Sequence, residues 1–305
     1  MKIINLEPNG YSEEAKSTLS KIGEYIEDEN PNIYLKKECE ILILRIGHFV
    51  DSSFLDQFHN LKIIGTNVTG IDHIDIDECK KRNIKVISLR DNPDMMSKVT
   101  ASAEFTVALI LMMARKIPQS FQEIHHDAWD RYKYNGLLFN ELQVGIVGNG
   151  RNGKQIDNML SALGVSCKNY DNNHKKKNSK SVLSINELLT TSNVVVLCVD
   201  YKKENIKFFD RNLFNKMQKN SIFINTSRGC LIDEVALIEA LSNQKISSAA
   251  VDVIEDEKNP KMSKLIKYTK NNNNLLITQH IAGCVPSSWK QTEEIIANMI
   301  FNHLK

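Results

Sequence analysis

Short runs of aliphatic and β-branched residues alternate with segments of helical periodicity along most of the chain. Lys2 to Asn5, Glu40 to Arg45, Leu61 to Gly65 and Lys85 to Leu89 predict strands, each followed by a more polar, helix-like stretch. That alternation predicts βαβ units and a parallel sheet. From Ser97 to about Arg131 the pattern becomes one long helical stretch broken near Pro118, which predicts a boundary and bridge between two domains. A second series follows, with strands at Gln143 to Val147, Val165 to Tyr170, Val194 to Val199, Ser221 to Asn225, Ser247 to Val251 and Leu275 to Thr278. The last segment, Pro286 to Leu304, is an amphipathic helix with proline at its start. The Asn271 to Asn274 run reads as a surface loop, and no fixed-period repeat is present.

At 305 residues, with 42 % hydrophobic and 25 % charged, the chain has the size and composition of two globular domains. Its formal net charge of +2 is too small to attract a polyanion without a local patch, so nucleic acid is not an expected partner. The start, Met1 to Leu6, reads as a strand rather than a secretion signal. The apolar run Val107 to Ala114 is far shorter than a membrane span, so the expectation is a cytoplasmic protein with no membrane partner. The six cysteines, at 39, 79, 167, 198, 230 and 284, form no C-x-x-C pair and no ligand spacing with histidine. They read as reduced thiols, with no metal site.

Gly148-Asn-Gly150-Arg-Asn-Gly153 lies between a predicted strand and the predicted helix Lys154 to Leu163. In that context the first glycine permits a tight turn, the second lets backbone approach a pyrophosphate, and the third allows close helix–strand packing. Asp171 ends the next strand, 18 positions after Gly153 and close to the spacing of roughly 20 at which an acid meets the ribose hydroxyls of NAD. Lys175, Lys176 and Lys177 follow, and read as a solvated loop cluster rather than a 2′-phosphate site.

Three more residues exit predicted strands at one edge. Arg228 lies in Asn225-Thr-Ser-Arg-Gly229, Glu257 follows the strand ending at Asp252, and His280 follows the strand ending at Thr278. Ligands bind at the carboxyl ends of strands in open parallel sheets. A planar arginine fork suits a carboxylate and a carbonyl oxygen in one substrate, and a carboxylate beside histidine holds the imidazole in one tautomer as a proton donor.

Together with Leu61-Lys-Ile-Ile-Gly-Thr-Asn-Val-Thr-Gly-Ile-Asp-His-Ile-Asp75, Ala103-Glu104, Trp129, Val251-Asp-Val253 and His280-Ile-Ala-Gly283, these motifs resemble the D-isomer-specific 2-hydroxyacid dehydrogenase family over nearly the whole chain. The resemblance implies an α/β fold of two doubly wound parallel-sheet domains, both Rossmann-like, with a cleft between them. A flavodoxin-like substrate domain would comprise 1–97 and 282–305, and an NAD-binding domain 98–281. It implies a triad of Arg228, Glu257 and His280 for the interconversion of a 2-oxo acid and a D-2-hydroxy acid, with NAD as cofactor. Arg151 and Asn152 would contact the pyrophosphate beside Gly148, Gly150 and Gly153. Asp171 would hold the ribose, and Thr226 and Asp252 would line the nicotinamide side. The backbone of Thr69 and Gly70 would grip the substrate carboxylate alongside Arg228, and Arg45 stands where some members place a basic residue.

The family norm implies a homodimer formed through the cofactor domain, with the apolar helix Phe105 to Ala114 a compatible surface. The chain departs from the family pattern at Gln279 and Lys258, where proline is usual beside the histidine and after the acid, and at Asp200, Asn152 and Phe105. Those departures motivate a second reading, an NAD(H)-sensing regulatory protein on the same scaffold. Glu257 argues against a formate-type site, which would carry glutamine there; a phosphite-type dehydrogenase stays open. A chain ending at Lys305 leads to the expectation that no C-terminal effector domain follows.

Overall fold

The structure is a computed structural model that describes residues 1–124, 129–173 and 178–305. It divides into two compact units, Met1–Val99 with Cys284–Lys305, and Thr100–Gly283. Each is an α/β layer structure around one parallel sheet.

The first unit carries β1 (Lys2–Asn5), β2 (Glu24–Glu27), β3 (Ile41–Leu44), β4 (Ile63–Thr66) and β5 (Lys85–Ser88), in spatial order β2-β1-β3-β4-β5. All pairings are parallel. The central strands β3 and β4 are buried along their whole length, as parallel strands covered on both faces must be. Helices α1 (Glu13–Ser20), α2 (Ile33–Glu38), α3 (Ser52–Leu55), α4 (Ile76–Lys81) and α5 (Pro93–Met96) connect them. α1 to α4 each start at a side-chain cap, from Ser12, Asn32, Asp51 and Asp75 in turn. Strand β2 has no counterpart among the predicted elements. It is an edge strand, Glu-Tyr-Ile-Glu, with both glutamates exposed and only two half-buried apolar positions, so it lacks the apolar run that marks a strand in sequence.

The second unit begins with α6 (Ala101–Ala114) and α7 (Ile117–Glu123). The break between them falls at Lys116, in the left-handed region at φ 52°, two residues before Pro118; the proline sits in the first turn of α7, where its missing N–H costs nothing. By length and mean hydropathy the stretch Asp94–Ala114 would qualify as a membrane span. In the fold, Ala103, Val107, Leu109, Ile110, Met113 and Ala114 of α6 belong to the core of the second unit. Then follow β6 (Gln143–Val147), α8 (Arg151–Ala162), β7 (Ser166–Tyr170), α9 (Ile185–Thr191), β8 (Val194–Leu197), α10 (Arg211–Lys216), β9 (Ser221–Asn225), α11 (Glu234–Ser242), β10 (Ile246–Val251), α12 (Lys264–Thr269) and β11 (Leu275–Ile277). The sheet order is β11-β10-β9-β8-β6-β7, all parallel. Its direction of growth reverses between β6 and β8, the switch point at which an open sheet binds ligands.

The last helix, α13 (Pro286–Leu304), returns to the first unit. Its Ile295, Ile296, Ala297 and Ile300 pack with Ile3, Ala15 and Leu19. Gly65 of β4 faces Ile300 so closely that a Cβ there would meet its Cδ1 at 2.6 Å.

Candidate functional site

At the β6/β8 switch point the chain turns through Gly148 at φ 106°, a conformation other residues rarely adopt. A Cβ there would also lie 2.3 Å from the Cys198 carbonyl oxygen. Gly150 is extended and precedes α8, which starts at Arg151, three residues earlier than the pattern predicts. Gly153 lies against the turn so tightly that a Cβ would reach 2.1 Å from the carbonyl oxygen of Gly148. The first turn of α8, with its unbonded amides and positive helix end, is thereby packed onto the end of β6.

Asp171, directly after β7, accepts the Asn149 N–H at 2.8 Å and the Asn173 N–H at 2.8 Å, tying the next strand exit to the glycine turn. Burial pushes the Arg151 guanidinium below its ordinary pKa, with the nearby Asp200 carboxylate opposing that shift. The Asn152 Oδ1 is buried with no hydrogen-bond partner. A turn with no room for side chains, a helix start behind it and an acid at the neighbouring exit fit a dinucleotide. The predicted lysine cluster, Lys175 to Lys177, lies outside the described residues.

The other predicted residues gather at the carboxyl ends of β9, β10 and β11, three adjacent strands. His280 Nδ1 and Glu257 Oε2 are 2.8 Å apart, with the two side chains 30 % and 42 % exposed, so the pair is open to a ligand. Arg228 is half-buried, and its Nη1 donates to the Ser227 carbonyl at 2.8 Å. Its loop is pinned by Ser227, whose hydroxyl donates to the Leu197 carbonyl, and by Asn225, whose Nδ2 donates to the Arg228 carbonyl. A Cβ on Gly229 would lie 2.0 Å from the Ile254 carbonyl carbon. The arginine loop therefore abuts the segment leading to Glu257.

Two predicted cofactor residues are engaged within the unit. Thr106 donates its one hydroxyl proton to the Ser102 carbonyl, so Thr226 is the donor in the 2.8 Å contact between the two threonine hydroxyls. Asp252 is 1 % exposed, and its carboxylate accepts from the Thr278 hydroxyl at 2.5 Å and from the Ile281 and Ala282 amides at 2.9 Å. Its carbonyl accepts the His280 N–H at 2.8 Å. Asp252 thus organises the turn that presents His280, which sits at φ 55°. Glu234, absent from the predicted set, does similar work on the acid side: its Oε1 accepts the Glu255 N–H at 2.7 Å, two residues before Glu257. Burial holds the Glu234 carboxyl above the ordinary carboxylate range. The only sequence signal for it is its place in the first turn of α11, behind the Asp233 cap.

Thr69 and Gly70 belong to the first unit, just past the end of β4, where Arg90 Nε donates to the Thr69 carbonyl at 2.5 Å. Among the described residues no group of three His, Cys, Asp or Glu side chains could hold a metal ion.

Comparison with known proteins places residues 107–282 in the family described as "D-isomer specific 2-hydroxyacid dehydrogenase, NAD binding domain". The chain is 31 % identical, over its full length, to D-3-phosphoglycerate dehydrogenase of Archaeoglobus fulgidus, but spans only 58 % of that enzyme's own length. It is 31 % identical to glyoxylate reductase of Thermofilum pendens over 88 % of this chain and 79 % of the relative. A crystal structure of Aquifex aeolicus D-lactate dehydrogenase with NAD and lactic acid superposes with TM-score 0.82 at 25 % identity, covering 100 % of this chain and 95 % of that one.

Proposed function

Because this chain belongs to the D-isomer-specific 2-hydroxyacid dehydrogenase family, with an NAD-binding Rossmann domain as its second unit, we propose that it interconverts a 2-oxo acid and a D-2-hydroxy acid. The observation that carries this reading is the His280–Glu257 pair at 2.8 Å, on strand exits beside the Arg228 loop and in the same sheet as the glycine turn. In the reducing direction, bound NADH supplies the hydride that reaches the carbonyl carbon. His280, protonated on both nitrogens, gives the Nε2 proton to the carbonyl oxygen, so the oxygen becomes a hydroxyl on the same carbon and the imidazole is left neutral. Glu257 receives the Nδ1–H and fixes the ring orientation. Arg228 binds the substrate carboxylate and stabilises charge growing on the carbonyl oxygen, a task for a planar fork. The backbone amides of Thr69 and Gly70, in the first unit, are the grip we assign to a substrate carboxylate.

On the cofactor, Gly148, Gly150, Arg151, Asn152 and Gly153 face the pyrophosphate, Asp171 the ribose, and Thr226 and Asp252 the nicotinamide. An acid in place of a cation at position 171 repels a 2′-phosphate, which selects NADH over NADPH. The test follows NADH and NADPH oxidation with glyoxylate, pyruvate, hydroxypyruvate and branched 2-oxo acids. Turnover of at least one acid, with NADH preferred, is the expected result. Silence across the panel with NADH still bound would overturn the proposal and move weight to a sensing role.

A further inference from the structure

One buried acid of the second unit, Glu234, has none of the reaction roles above, yet it stands behind the loop that carries one of them. It is the first residue of α11, next to the Asp233 cap, and it is only 7 % exposed. An acid in such a place is costly unless its oxygens are bonded. Its Oε1 accepts the Glu255 N–H at 2.7 Å. Burial and the nearby Glu255 carboxylate favour its neutral form, while the Glu255 amide, Lys207 and Lys264 oppose them.

The peptide that Glu234 holds is pressed from the other side as well. A Cβ on Gly229 would meet the Ile254 carbonyl oxygen at 2.1 Å and the Glu255 nitrogen at 2.5 Å, so no side chain fits there. Gly229 and Glu234 belong to one short stretch, and that stretch is itself anchored. The Lys207 N–H donates to the Cys230 carbonyl at 2.8 Å, the Phe209 N–H to the Leu231 carbonyl at 2.9 Å, and the Asp233 N–H to the Phe209 carbonyl at 3.0 Å. Asp233 in turn caps α11 through the Val235 and Ala236 amides. The stretch is therefore a frame, and the Ile254–Glu255 peptide is clasped to it by contact at Gly229 and by a hydrogen bond at Glu234. Lys207 Nζ also lies 3.7 Å from Glu255 Oε1, but both side chains are about half exposed, so this pair adds little.

Arg228 immediately precedes the frame, and Glu257 lies two residues beyond the clasped peptide. Glu257 is 42 % exposed, so its reach to His280 Nδ1, 2.8 Å away, depends on where its backbone is held. We propose that Glu234 is a positioning residue for the reaction: by holding the Ile254–Glu255 peptide to the frame, it keeps Glu257 within reach of His280 and in register with Arg228. The inference rests on the dehydrogenase reading above and adds a residue to it. The reach of the acceptor carries this role rather than its charge, since a neutral side-chain oxygen accepts the same N–H. A displacement of about 1 Å at a reacting group costs about 100-fold in rate.

Two variants separate reach from charge. Glu234→Gln keeps the reach and the acceptor and removes the charge, whereas Glu234→Asp keeps the charge and falls one methylene short of the amide. The full chain is assayed with NADH and the fastest 2-oxo acid of the panel above. Glu234→Asp should lose about 10- to 100-fold in kcat with NADH affinity within about twofold of wild type, and Glu234→Gln should stay within about threefold in both. The ring-nitrogen NMR shifts of His280, which report its bond to Glu257, should move in Glu234→Asp and match the wild type in Glu234→Gln. Combined with Glu257→Gln, Glu234→Asp should cost nothing further, because it acts through that residue. Wild-type kcat in a folded Glu234→Asp overturns the inference. So does a loss in Glu234→Gln as large as in Glu234→Asp, a parallel fall of NADH affinity and kcat, or additive losses in the double variant. If Glu234→Asp fails to fold, Glu234→Met, which fills the same volume without a strong acceptor, takes its place with the same expectation. Silence of the wild type with every 2-oxo acid overturns the dehydrogenase reading instead, and the His280 ring shifts then decide the positioning role on their own.

Discussion

His280 holds a left-handed backbone conformation that costs a residue with a β-carbon about 1–2 kcal/mol, and Asp252 keeps it there. The Asp252 carbonyl takes the His280 amide while the Asp252 carboxylate takes the next two amides and the Thr278 hydroxyl, so the turn is bonded from one buried residue. The geometry separates fold from chemistry. Asparagine tolerates the left-handed region but has no acidic proton to transfer, so His280→Asn should keep its melting temperature and NADH affinity while turnover falls about 10²- to 10⁴-fold. A variant that turns over at the wild-type rate would remove His280 from the mechanism. At this scale the sequence marks the candidate residues and hides what holds them in place. Arg228, Glu257 and His280 are visible because each follows an apolar strand. The grip of Asp252 on the histidine turn is a set of hydrogen bonds across 26 to 30 residues, most of them to its carboxylate, and Glu234 reaches an amide 21 residues away. No local pattern encodes such partners.

Helix α8 places glycine at both ends for different reasons. At its start, Gly153 has no room for a side chain; at its end, Gly164 sits at φ 78° with nothing within 4 Å of a Cβ. The Gly164 amide bonds the Ser161 carbonyl and the Val165 amide the Leu160 carbonyl, the paired closure of a left-handed helix end. Gly153→Ala should force helix and strand apart, destabilise by about 1–3 kcal/mol and abolish measurable NADH affinity. Gly164→Ala should cost about 1 kcal/mol in denaturant unfolding and leave NADH affinity unchanged. Equal loss of NADH binding in both would show that the turn has no special part in the cofactor site. The strand and helix series of the second unit could be read from the sequence because its strands are continuous apolar runs. Strand β2 could not, since an edge strand guarded by glutamates resembles a loop. The start of α8 was displaced for a related reason: Arg151 and Asn152 are polar residues of the first turn, and helical periodicity emerges only once Ile156 and Leu160 face the core.

For the whole molecule, the open question is what covers its apolar surface. The helix Phe105 to Ala114 is compatible with an interface by sequence, yet most of its apolar side chains are in the core of the second unit. Among the described residues, several exposed apolar side chains come just after it: Ile117, Phe121 and Ile124 are 49, 68 and 43 % exposed, Trp129 is 91 % exposed, and Tyr132 and Leu138 follow at 73 and 64 %. A single exposed leucine needs no explanation, whereas this density of large apolar side chains within one segment marks a surface that associates. A homodimer formed through this segment is the arrangement we propose, since a self-complementary patch closes with two copies. A standard interface removes about 800 Å² per partner, within reach of six such side chains and their neighbours. Sedimentation at micromolar concentration should therefore give a dimer, and Phe121→Asp, which places an unpaired charge in the buried patch, should shift it to monomer with the fold intact by circular dichroism. A wild type that sediments as a monomer at that concentration would reject the dimer. A dimer unaffected by Phe121→Asp would move the interface away from this segment.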